Sequence, residues 1–65
     1  MIHKYTLCAV GIKYRGKEFS TRQEANDEMY KLISKNHLHI EEIWDDNHDK
    51  TYLCNNNVNF YIQRV

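Results

Sequence analysis

The chain has 65 residues, with lysines plus arginines equal in number to aspartates plus glutamates at nine each, so its formal charge is zero with neutral histidines. A domain of this size buries only about 60% of the surface its unfolded chain exposes. A pocket of several hundred Å³, roughly what a small-molecule substrate needs, is more than so thin a core supplies, and the balanced charge lacks the basic excess of a dedicated nucleic-acid binder. The charges are unevenly placed. Lys4, Lys13, Arg15, Lys17 and Arg22 face only Glu18 before residue 24, whereas Glu41, Glu42, Asp45, Asp46 and Asp49 crowd one short stretch.

No run approaches the ~18 consecutive apolar residues of a membrane span, and the N-terminal residues carry no signal-peptide pattern. A soluble, cytoplasmic protein of a single domain, residues 1–65, is expected. With no proline, repeat or linker composition, nothing divides it.

In chain order, residues 4–14 alternate, Cys8, Val10, Ile12 and Tyr14 on one parity and Tyr5, Leu7 and Ala9 on the other, which is the period of a strand. Arg15 and Gly16 interrupt it, and Lys17, Glu18 and Phe19 resume, so the first unit reads as a β-hairpin turning at Arg15 and Gly16. Ser20 and Thr21 are helix N-caps with capping-box partners at Gln23 and Glu24. Ala25, Met29, Leu32 and Ile33 then form one apolar stripe, and Asn36 is the expected left-handed residue that ends the helix. Three further strands follow, 38–44, 50–54 and 58–65, separated by DDNHD and NNN. The fold class is therefore α+β: one helix packed on one face of a small antiparallel sheet, in the order ββαβββ, with the other face open.

The stretch HIEEIWDDNHDK, residues 39–50, is the densest chemistry in the chain. Asp45, Asn47 and Asp49 match the start of a calcium loop, but its sixth position is Lys50 where a glycine is needed and its twelfth is Asn56 where a bidentate glutamate is needed. His37, His39 and His48 suggest zinc, with His37 and His39 on one side of an extended segment, yet no paired Cys/His spacing accompanies them. No metal and no cofactor is expected. Cys8 and Cys54 are read as small buried hydrophobes of a reducing compartment. Two readings of the stretch remain open. Either Trp44 packs in the core and the carboxylates only solvate a hairpin, or it lies exposed among them as an anchor for a basic partner.

The run GIKYRGKEFSTRQEANDEMYKLI, followed by acidic and asparagine-rich hairpins, resembles in its layout small accessory proteins encoded by phages and mobile elements of Firmicutes, among them anti-CRISPR proteins. That resemblance implies a compact, non-enzymatic protein that occupies a surface of a larger partner, often with carboxylates imitating nucleic-acid phosphate. The partner would be a protein with a basic surface, such as a Cas nuclease or another immunity protein in the bacterial host cell. Glu41, Glu42, Trp44, Asp45, Asp46, Asp49 and Tyr52 are the candidate partner-binding residues. The alternative is a nucleic-acid-binding module in which Lys13, Arg15 and Lys17 contact phosphate and Tyr14 stacks on bases. A homodimer formed by self-pairing of residues 58–65 as an edge strand is compatible with either.

Overall fold

The computed structural model describes residues 4–46 and 49–64. His48 and Asn47, and Val65 of the last expected strand, lie outside the described residues. Strands β1 (Tyr5–Val10), β2 (Lys17–Phe19), β3 (Ile40–Asp45), β4 (Asp49–Cys54) and β5 (Asn59–Arg64) form one antiparallel sheet, and helix α1 (Arg22–Lys35) crosses one face of it. The α+β class and the ββαβββ order hold.

The spatial order is β2-β1-β5-β4-β3. This corrects the edge-strand expectation for residues 58–65. Strand β5 is central, paired on one side with β1, where Leu7 opposes Ile62, and on the other with β4, where Tyr52 opposes Phe60. Its backbone is occupied on both sides, so a second copy has no β5 edge to join. The free edges belong to β2 and β3.

The first strand also stops sooner than its alternation suggests. It ends at Val10 because Gly11 adopts φ +94°, a conformation that strains any residue with a Cβ. A Cβ there would also sit 2.6 Å from the Asn57 carbonyl oxygen. The close approach of the two chain segments therefore requires glycine, and residues 11–16 run as a connection rather than as strand and two-residue turn.

Thr21 caps the helix as the spacing predicts. Its Oγ1 accepts from the Glu24 amide at 3.2 Å, and its own amide donates to Glu24 Oε1 at 3.1 Å, which satisfies two otherwise orphaned donors. At the other end the left-handed residue is His37, at φ 56°, rather than Asn36. The Leu38 amide donates to Ile33 O at 2.9 Å and the His37 amide to Ser34 O at 3.2 Å, the paired bonds of a Schellman ending. Asn36 instead contributes its side chain, whose Nδ2 donates to Leu32 O at 2.8 Å. Asn56 and Asn57, both at φ 60°, turn the chain between β4 and β5, as asparagine can at low cost.

Ala25, Met29 and Ile33 of the helix bury against Leu7, Tyr52, Cys54, Val58, Phe60 and Ile62. The helix lies over β2, β1 and β5 and does not extend over β3. Tyr52 spans the gap from β4, its hydroxyl donating to Asn26 Oδ1 at 3.2 Å. One irregularity decides which way the acidic strand presents its side chains. Ile40 opposes Cys54 and Glu42 opposes Leu53, so Glu41 is an extra residue, a β-bulge.

Candidate functional site

In a regular strand Ile40, Glu42 and Trp44 would share a face. The bulge at Glu41 breaks that parity: Ile40 and Ile43 align with Cys54 and Tyr52 on the helix side, while Glu42 and Trp44 align with Leu53 and Thr51 on the open side. Trp44 is therefore outside the core, with 63% of its surface exposed. Its indole Nε1 donates to Glu42 Oε2 at 2.6 Å. That bond holds a large apolar ring out in solvent beside a carboxylate.

The remaining carboxylates lie on the same stretch but not all on the Trp44 side, since Asp45 opposes Lys50 on the helix side. Glu41, Glu42, Asp45, Asp46 and Asp49 are all exposed. Local partners engage several of them: Lys50 Nζ lies 4.0 Å from Asp45 Oδ2, and His39 Nε2 lies 3.5 Å from Glu41 Oε2. The Asp46 amide donates to Asp49 O at 2.8 Å and closes the β3–β4 hairpin. The stretch is thus a strand-to-strand connection whose carboxylates are exposed to solvent, with Glu42 in contact with Trp44.

Tyr52 does not belong to this surface. It is 2% exposed, with its ring on the helix side and its hydroxyl committed to Asn26, so it cannot anchor a partner. The pairing register explains the difference: Tyr52 opposes Phe60 in the centre of the sheet. Ile43, beyond the reach of the helix at the β3 edge, is half exposed, but on the side of the sheet opposite to Trp44. The three-residue spacing of Ile40 and Ile43 was the one sign of the bulge in the sequence, since a regular strand would put them on opposite faces.

The basic connection between β1 and β2 also differs from its expected form. Lys13, Arg15 and Lys17 are exposed, but Tyr14 is half-buried and packs against the core. Its hydroxyl donates to Glu28 Oε2 at 3.4 Å, and Lys17 Nζ reaches the same oxygen at 3.4 Å. Burial, with the Glu28 carboxylate and the bond to it adding to the effect, pushes the Tyr14 phenol from an ordinary 10.0 up to about 12. Tyr14 fixes the loop to the helix and offers no free ring for base stacking.

His37 sits in the turn that ends the helix, so it and His39 do not alternate along an extended segment as expected. Among the described residues, no group of three or more histidines, cysteines, aspartates or glutamates is placed to hold a metal ion. Cys8 and Cys54 are free thiols on β1 and β4, strands separated by β5. Burial, and then the nearby Glu41 carboxylate, push the Cys54 thiol up. Cys54 is buried as expected, but Cys8 is only half-buried, facing away from the helix beside Tyr61.

Comparison of the chain with protein-family models, with characterised proteins and with solved structures finds no match.

Proposed function

We propose that this chain is a small, non-enzymatic interaction protein that binds stoichiometrically to a larger protein through the acidic surface around Trp44. The observation that carries the reading is Trp44 itself, 63% exposed and held upright by Glu42. Most of the Trp44 ring is left out of the core, and tryptophan is among the side chains most enriched at interface hot spots. The carboxylates beside it attract lysines and arginines of the partner and accelerate encounter in a salt-dependent way. Together with the layout resemblance to small phage and mobile-element proteins, this supports an inhibitor of a nucleic-acid-handling host-defence protein, such as a Cas nuclease, in the cytoplasm of a bacterial host.

The test is a DNA-cleavage assay across a panel of purified Cas nucleases, with the wild-type chain and with the combined variant Asp45→Asn, Asp46→Asn, Asp49→Asn. Inhibition by the wild type should saturate at a fixed molar ratio and weaken as salt rises, and the variant should lose it by about tenfold or more. Equal inhibition by the two proteins would reject the acidic surface as the site.

A further inference from the structure

The cations on the strands all lie on one face, together with the carboxylate of Asp45, which opposes Lys50. Lys17, Lys50 and Arg64 are the strand cations, and each opposes a residue of the helix side: Leu7, Ile62 and Tyr5 respectively. Their contacts agree, since Lys17 reaches Glu28 on the helix and Lys50 lies over the Tyr52 ring at 5.5 Å. Glu18, Glu42 and Asp49 have the opposite parity, opposing Thr6, Leu53 and Gln63. Among the described strand residues, every charge on the open face is therefore negative.

Between those carboxylates the same face mixes apolar side chains with the neutral polar ones of Thr6, Thr51, Asn59 and Gln63. Trp44, Thr51, Tyr61 and Cys8 oppose one another in one continuous row across four strands, and in the next row Asn59 stands between Leu53 and Val10. Val10 is 52% exposed. A face that merely meets water usually carries strand charges of both signs, whereas here those on the strands are all negative around Trp44 and Tyr61, and the exposed cations Lys4, Lys13 and Arg15 lie off the strands beside β1. Resting on the functional reading above, we infer that the open face of the sheet, and not only the acidic hairpin, is the docking surface, and that its occupant is a protein surface interspersing apolar side chains with lysines or arginines.

Charge selects this occupant over two others. A second copy docking by the same face would set Glu18, Glu42 and Asp49 against their own counterparts, and like charges across an interface cost affinity. A nucleic acid would bring phosphates to the same carboxylates and find no cation on the strands there. A basic, apolar protein surface meets neither obstacle. An arginine over the Trp44 ring next to Glu42 would gain both a cation–π contact and an ion pair.

The test uses the full chain, isotope-labelled for amide chemical-shift mapping, and a helical peptide whose exposed face intersperses leucine with arginine. A matched peptide with glutamate for arginine and a single-stranded oligonucleotide serve as the other arms. The arginine peptide should shift amides along the Trp44-to-Cys8 row, and the other two should leave them in place. Tyr61→Thr and Leu53→Thr, which keep β-compatible residues at accessible positions, should each weaken peptide binding by about tenfold. Wild-type affinity in both variants, with loss confined to the pair Asp45→Asn, Asp46→Asn, would overturn the open-face assignment and leave the acidic-hairpin reading standing. Row shifts produced by the oligonucleotide, by raising the concentration of the protein alone, or by no probe at all would overturn it too. Because the map is made on the wild type, an unfolded variant does not remove the test.

Discussion

At the scale of single residues, two hydrogen bonds to carboxylates give two aromatics opposite fates. Glu42 holds Trp44 outward, and Glu28 draws Tyr14 inward against the helix. The second has a pH signature. With the folded-state phenol raised from 10.0 to about 12, the unfolded chain releases this proton at lower pH than the folded one does. The associated stability is therefore complete below pH 10 and is lost as pH rises towards about 12. Urea unfolding followed across that range should show declining stability, and Tyr14→Phe, which has no phenol to ionise, should flatten the decline. A slope unchanged by the substitution would place the alkaline sensitivity in other groups. Tyr14's position was not legible in the sequence. Alternation in residues 4–14 carried it forward as part of a strand, although Gly11 had already ended that strand.

At the scale of elements, what the sequence revealed and what it hid divide along local and non-local causes. The Thr21 cap, the buried stripe of Ala25, Met29 and Ile33, and the asparagine turn all follow from neighbours within a few residues, and all stand where the spacing puts them. The bulge at Glu41 depends on how β3 registers against β4, and no residue within IEEIWD announces it except the misplaced spacing of Ile40 and Ile43. Because a one-residue shift exchanges the faces of a strand, this single irregularity decided whether Trp44 was core or surface. The close approach of Gly11 to Asn57 is another non-local cause. Gly11→Ala combines a left-handed backbone with a Cβ only 2.6 Å from a carbonyl oxygen, so it should cost more than the ~1 kcal/mol of the backbone penalty alone. Chemical denaturation of the variant measures this. A cost below that value would mean the β1 end and the asparagine turn separate easily.

At the scale of the whole molecule, the sheet order is what length and periodicity left undetermined. Five strands were countable, but their neighbours were not, and β5 proved central where an edge had been expected. Phe60, on β5 and fully buried against the core, sits where both halves of the sheet meet the helix. Phe60→Ala should cost about 3–5 kcal/mol. A domain of this length has only some 3–10 kcal/mol to lose, taking roughly 0.05–0.15 kcal/mol per residue. The variant should therefore lose a large share of its stability and melt well below the wild type, as far-ultraviolet circular dichroism would show. A cooperative transition near that of the wild type would instead indicate a core able to collapse around the missing ring.

The central place of β5 also governs the order in which the fold can be completed on the ribosome. Strands β1 and β4 are joined only through β5, so the β1–β2 unit with its helix and the β3–β4 hairpin are synthesised before the strand that links them exists. Until residues 59–64 emerge, two extra strand edges stand open, and the segments on either side of the gap have no ladder between them. The contacts that join the two halves of the sheet thus form only once β5 is made, and they link distant parts of the sequence.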